Sequence, residues 1–596
     1  MALRWLRHLF AHGRPAAASA EVEDLPAVGK AATIAPQGPE PLENPPEAKK
    51  KRKFPNWPAL VQGSPELWSQ ALSDAAAGRR VLFASAIGGH PQFTVVESAL
   101  AIALTLRGAH VDSLICDAAL PACQRAKVTL PEPRALIDDR IGELICESCV
   151  SRGRKVFNIP GLNRLEMSVF LRPDERRLAR EIATSLPPDE IASYVHEGLP
   201  IGEHAKAGAL RYYGVGDLQH EPEGERVLRR FLEASLLTAF ATRRVLEEGR
   251  YDVVVTNHGI YVPHGVINAV ARQGGARTVT WNTAYRRQCA IFSHDETYHH
   301  TLMDEPVSAW EDMPWSQARE DEIMAYLQSR QRGDRDWIWF NRNASQDVDQ
   351  FASTVGLDWS KPVVGMLTNV VWDAQLHYPA NAFRSMLDWL IKTIAYFQRR
   401  PDLQLLIRVH PGELAPPGGV TMSRQPAAEE IRKAFPRLPK NVFVIPPENP
   451  LSTYAAMDRC DSVIIYGTKT GVELTSFGIP VIVAGEAWIR NKGLTLDASS
   501  EADYLKILDS LPVGRRLDED TTQRARKYAY HFFFRRMIPL PFLKYRDDQW
   551  PPFMVKLKSL DELGEGRFPG LDVICDGILS GAPFIYRAES LGLHDA

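Results

Sequence analysis

No apolar run in this chain reaches the roughly 18 residues that a bilayer span needs, so a membrane-spanning helix is not expected. Formal charge is nearly balanced at -3, which lacks the basic excess of a dedicated nucleic-acid binder, and nucleic acid is not an expected partner. Cysteine is scarce and odd in number, seven in 596 residues, which suits a reducing compartment better than a disulfide framework. The amino-terminal apolar stretch is short and interrupted, a poor secretory signal, and the expected location is cytoplasmic. No short-period repeat argues for a solenoid. What the chain does have is 45% hydrophobic and 24% charged residues, enough to bury large cores over the two to four domains that its length predicts.

Residues 1–57 read as a disordered tail, because Pro, Ala and Glu dominate and no hydrophobic period is sustained. Leu3, Trp5, Leu6, Leu9 and Phe10 interleave with arginines there, and Lys49 to Lys53 form a basic block. Together they could touch an anionic membrane surface at the inner face of the cytoplasmic membrane; the alternative is a solvated tail. From Arg80 the texture becomes alternating strand and helix. Apolar runs at 81–85, 111–116, 251–256 and 279–281 predict one sheet, in a domain over 58–335 with a helical insertion near 173–249. Runs at 363–367, 405–409, 442–445, 462–466 and 481–483 predict a second sheet over 336–500, and residues 501–596 read as helices and a tail packing back on the domains. The fold class is α/β, with two Rossmann-like domains facing each other across a cleft.

In the first domain, Gly88-Gly89-His90 follows a strand and precedes a helix. The glycines would let backbone approach a ligand, and His90 is either a proton acceptor or a turn-capping histidine. Asn257-His258-Gly259-Ile260-Tyr261 ends another strand, where His258 is either functional or a satisfied structural histidine. The segment Ser293 to His300, with His294, Asp295, His299 and His300, is dense in imidazole and carboxylate and reads as a substrate loop or, alternatively, a metal site. Cys116, Cys123, Cys146 and Cys149 give a C-x6-C and a C-x2-C pair, which fit either a structural zinc site or buried thiols that pack.

The second domain places its polar residues at strand ends too. Asp373 closes the loop after one strand, and Arg408, His410 and Glu413 surround the end of the next. Gly467, Thr468, Lys469, Thr470 and Gly471 form a loop between strand and helix, an outline suited to a phosphate, with Glu473 in the first helical turn as a dipole partner or a ribose acceptor.

The segments Thr368 to Asp373, Arg408-Val409-His410-Pro411 and Tyr466 to Glu473 through Gly478-Ile479-Pro480 resemble bacterial capsular polysaccharide biosynthesis proteins. Those are similar in turn to GT-B glycosyltransferases, including the Kdo-transferase type. The resemblance is good over about 360–490 and loose over about 80–596. It implies a nucleotide-sugar donor held by His410 and the 468–473 loop, with Arg408 and Glu413 beside it. It also implies a glycan or lipid-linked acceptor bound by the first domain, at His258, Tyr261, His294, Asp295 and His299. His90, Asp373 and His410 are the expected catalytic residues. The serine-rich phosphate motif of capsule transferases that use CMP-sugars is replaced here by threonines and lysine. No Asp-x-Asp pair stands at a strand end, so no cofactor is expected to be required for catalysis. The alternatives are a nucleotide-sugar epimerase of the UDP-GlcNAc 2-epimerase kind and a non-catalytic polysaccharide assembly or binding protein.

Overall fold

The computed structural model describes residues 54–126, 132–332, 335–337, 344–373, 377–414, 423–546 and 552–591. Its first sheet is built from β1 (Arg80–Ala86), β2 (His110–Ile115), β3 (Asn163–Glu166), β4 (Val253–Asn257), β5 (Arg277–Thr283) and β6 (Cys289–His294). Strand order is β3-β2-β1-β4-β5-β6, all parallel except β6. The second sheet contains β7 (Val363–Leu367), β8 (Gln404–Arg408), β9 (Val442–Ile445), β10 (Ser462–Ile465), β11 (Val481–Val483) and β12 (Leu496–Asp497). Its order, β9-β8-β7-β10-β11-β12, is again that of a doubly wound sheet, here wholly parallel. In each sheet the chain reverses direction of travel once, between β1 and β4 and between β7 and β10. Such switch points open a crevice beyond the strands' carboxyl ends.

Both faces of both sheets are buried, which is why the strands read as unbroken apolar runs. Along β1, Val81 and Phe83 enter one core cluster while Leu82 and Ala84 enter another. Along the second sheet, Val463 and Ile465 face one cluster, and Ile464 the other. The insertion forms three helices, Pro173–Ser185, Ile201–Tyr213 and Gly224–Gly249, whose apolar faces complete the cluster over Leu82. The α/β fold with two Rossmann-like sheets is therefore as expected from sequence.

Three features differ from that reading. Trp57, placed in the tail, is fully buried and opens the helix Trp57–Gln62, while the membrane-directed residues 1–53 lie outside those described. Ser293 and His294, read as the start of a loop, instead end the strand Cys289–His294, which Val279 to Thr283 pairs with antiparallel. After the helix Glu519–Tyr530, which packs on second-sheet elements, β13 (Ile538–Pro539) joins the far edge of the first sheet beside β6. Among the described residues no helix is long and apolar enough to cross a membrane.

Candidate active site

The two switch points meet. Tyr261, four residues past β4, donates its hydroxyl to Oδ1 of Asp373, six past β7, at 3.0 Å. Arg211, from the helix Ile201–Tyr213, approaches the same oxygen at 3.4 Å and stacks its guanidinium over the rings of Tyr261 and Trp372. The Asp373 side chain is 57% exposed. Loss of solvent pushes its pKa up, but Arg211, His258 and His299 outweigh this and hold it below the usual carboxylate range.

The loop after β4 is conformationally unusual. His258 and Tyr261 both adopt left-handed backbone, at φ 64° each, a region non-glycine residues rarely enter. Such strain persists only where surrounding structure over-determines it, and it concentrates at functional sites. His258 lies 5.7 Å from the Tyr261 ring and 6.1 Å from that of His299. Burial, followed by the charge of Arg211, lowers His258 to about 4; burial and His258 lower His299 to about 3. Both imidazoles are thus neutral near pH 7. His299 also stacks on Trp488, from the loop after β11, so it too bridges the sheets.

His300 behaves oppositely. Burial lowers it, yet Glu296 at 3.4 Å and Glu486 at 3.0 Å more than compensate and raise it to about 10. The Glu486 contact is off the hydrogen-bonding line, so it is a charge contact across the cleft and not an aligned bond. His90 caps the helix Pro91–Thr105 without a side-chain capping bond, and its Nδ1 is buried and unpartnered. Burial, with His264, Arg125 and Arg211 adding, lowers it to about 3.

On the donor side, the main chain of His410 donates to Thr368 Oγ1 at 3.0 Å, and Gly412 N donates to His410 Nδ1 at 3.0 Å. Nδ1 is therefore an acceptor and the ring proton sits on Nε2. Burial and Lys469 lower this histidine to about 4, so it is a neutral hydrogen-bond donor. Gly467 N reaches Asn369 Oδ1 at 3.3 Å, and residues 467–470 are half-buried, bordering the cleft.

Several expected site residues have other work. Glu473 is fully buried beneath the loop, paired with Lys469 at 2.8 Å and Arg330 at 3.4 Å, and bonded by Tyr454. Burial raises it, but Arg330 and Lys469 dominate and bring it to about 2. Arg330 also pairs with Asp336, so the cations Lys469 and Arg330 are balanced by two carboxylates, and Glu473 does not reach a ribose. Arg408 is buried and donates to the carbonyls of Pro446 and Asn449, fixing the turn after β9. Glu413 is buried and accepts from Ala427 N, capping a helix and not meeting a donor sugar; burial raises it to about 7. His294 stacks on Phe584 at 4.3 Å and contacts the Ala582 carbonyl, while Asp295 occupies a left-handed turn accepting from Thr278 N. The polar segment 293–300 is thus split: its first half pins the carboxyl-terminal segment, and its second half enters the cleft.

Gly88 and Gly89 also change role. A Cβ on Gly88 would stand 2.4 Å from the Cys149 carbonyl oxygen and 2.6 Å from Gly153 Cα, and one on Gly89 would stand 2.5 Å from the Arg125 guanidinium, so Gly88 admits a helix and Gly89 an arginine side chain. Cys116, Cys123, Cys146 and Cys149 line one cavity behind that loop as free thiols. Among the described residues no three His, Cys, Asp or Glu side chains stand at the spacing of a single bound ion.

Sequence reading missed Arg211, Tyr298, Tyr378, Glu486 and Trp488. Arg211 lies on an ordinary amphipathic helix with no local motif, and only its insertion against Tyr261 and Trp372 brings it to Asp373.

No family model and no curated protein matches the chain. Among solved structures it is similar to the KpsC beta Kdo 2,4 transferase of Thermosulfurimonas dismutans, at 14% identity and a TM-score of 0.31 over 46% of this chain and 79% of that one. It is also similar to UDP-GlcNAc 2-epimerase from Neisseria meningitidis bound to UDP-GlcNAc, at 10% identity and a TM-score of 0.23 over 76% and 94%. A glycosyl transferase family 9 protein of Veillonella parvula gives 12% and 0.18 over 76% and 96%. Likeness of this degree leaves the functional reading to the site itself.

Proposed function

We propose that this chain is a GT-B-type glycosyltransferase that moves a sugar from a nucleotide-sugar donor to a glycan or lipid-linked acceptor in surface polysaccharide biosynthesis. The observation that carries this reading is the meeting of both switch points at Asp373, which Tyr261 and Arg211 hold from the opposite sheet. In this reaction the acceptor hydroxyl attacks the anomeric carbon, its proton passes to the Asp373 carboxylate, and the bond from that carbon to the phosphate oxygen breaks. The pair on that oxygen leaves with the nucleotide.

Asp373 suits the base role because it is ionised and solvent-exposed, whereas Nδ1 of His90, the stronger expectation from sequence, is buried away from solvent. With Lys469 balanced by Glu473, the departing phosphate is met mainly by hydrogen bonds: the Thr468 and Thr470 hydroxyls and Nε2 of His410. His258, Tyr261 and His299 form the acceptor side. Holding both substrates in one cleft supplies the remaining acceleration by removing the entropy of encounter.

The test is incubation of purified protein with a panel of nucleotide sugars, with and without a polysaccharide or lipid-linked acceptor, read by mass spectrometry. Transfer that requires acceptor and is lost in Asp373→Asn supports the reading. Conversion of a nucleotide sugar without acceptor would establish an epimerase instead.

A further inference from the structure

The cavity behind the His90 loop is lined by four cysteines from two separated segments. Cys116 directly follows β2, and Cys123 lies in the loop beyond it. Cys146 ends a π-helical turn, Gly142–Cys146, that runs directly into the helix carrying Cys149. Single π turns are rare and gather at functional sites, because the extra residue re-aims the side chains around it. Here the re-aimed side chain is a thiol facing three others.

Three observations bear on what the thiols could hold. All four are free, so they have not paired off as disulfides despite sharing one wall. The main chain of Gly89 donates to Cys149 Sγ at 3.0 Å, the kind of amide-to-sulfur bond that steadies a coordinating thiolate. The sulfurs also surround a void and do not converge on a point. Four thiolates around zinc would close to about 2.3 Å from the ion and leave no such space. An inorganic core of iron and sulfide lies between its cysteines and holds them apart. The remaining wall is apolar, from Ile87, Leu120, Ile145 and Val150, and Arg125 stands at the edge with its guanidinium bonded to the Gly89 carbonyl at 2.6 Å. The guanidinium at the rim offsets part of the net negative charge that four thiolates give a cluster, which the apolar wall alone would disfavour.

We propose that Cys116, Cys123, Cys146 and Cys149 bind an iron–sulfur cluster that fixes the Gly88-Gly89-His90 loop at the back of the cleft. The packing of Gly88 on Gly153, so close that a Cβ placed on Gly153 would stand 3.2 Å from Gly88 Cα, couples the cysteine helix to that loop. The cluster's role is to hold structure, and no electron transfer is assigned to it.

The full chain purified without oxygen from iron-replete cells tests this. About four iron and four acid-labile sulfide per chain are expected, with a brown colour that bleaches on reduction. About one zinc per chain with no sulfide overturns the proposal in favour of a zinc site, and a metal-free chain that takes up neither iron nor sulfide on reconstitution overturns it altogether. Cys146→Ser/Cys149→Ser should lose the colour and the iron together, while Cys460→Ala, a buried thiol of the second sheet, keeps both; iron retained in the double variant also overturns it. The measurement on the unaltered chain stands even if the double variant does not fold.

Discussion

The Tyr261 hydroxyl and Asp373 Oδ1 lie 3.0 Å apart, yet they are separated by 112 positions and belong to different sheets. That bond ties the two switch-point crevices to one another. Replacing Tyr261 by Phe removes it while keeping the ring under Arg211. A stability loss of about 1 kcal/mol is expected in denaturant titration, together with a drop in turnover larger than any rise in KM. Unchanged turnover would detach Tyr261 from the reacting groups.

Asp373→Asn should lower kcat about 10²–10⁴-fold without disturbing the fold, the usual contribution of a positioned proton acceptor. In the unaltered chain kcat should hold down through the ordinary carboxylate range and fall only below it, because Arg211 and its neighbours keep the carboxyl ionised. A half-maximal point near pH 6 to 7 would point to another base.

His410→Ala is expected to abolish transfer in a chain that folds normally, since a neutral Nε2 donor is lost from the phosphate side. Circular dichroism and a turnover assay decide this, and normal turnover by the folded variant removes His410 from the mechanism.

The His300 contacts with Glu296 and, across the cleft, Glu486 make stability depend on alkaline pH. Its folded pKa is raised to about 10 against about 6.5 unfolded, so its contribution is complete below pH 6.5 and lost as pH rises through 10. The unaltered chain should therefore lose more thermal stability between pH 7 and 10 than His300→Gln does. Parallel Tm profiles for the two would show that neither carboxylate holds the His300 proton.

Glu473→Gln should cost about 3–5 kcal/mol, because it breaks a buried ion pair, leaving Lys469 without its carboxylate and Asp336 alone to balance Arg330. Denaturant unfolding measures this. A variant of normal stability with impaired nucleotide-sugar binding would return Glu473 to the ligand.

The positions of the strands were legible because buried parallel strands are apolar on both faces, so β7, β9 and β11 have the residue limits that their apolar runs mark. Their carboxyl ends were legible too, and with them His258, Asp373 and His410. The antiparallel strand β6 was not, because its short run ends in the polar Ser293-His294 and its partners are chosen by the sheet. The roles of Glu413, Glu473 and Arg408 were hidden for a related reason: a charged residue beside a strand end looks the same in sequence whether it faces a cleft or a buried partner.

Local order in the chain therefore determined the alternation of strand and helix and the set of polar residues delivered to each sheet edge, since both follow from hydrophobic period and turn chemistry over a few residues. Which of those residues share a space was decided by tertiary structure alone. Arg211 comes to Asp373, and four thiols to one cavity, through packing of segments far apart in sequence. That placement fixes solvent access and neighbouring charge, and hence the proton affinity, of every side chain in the cleft.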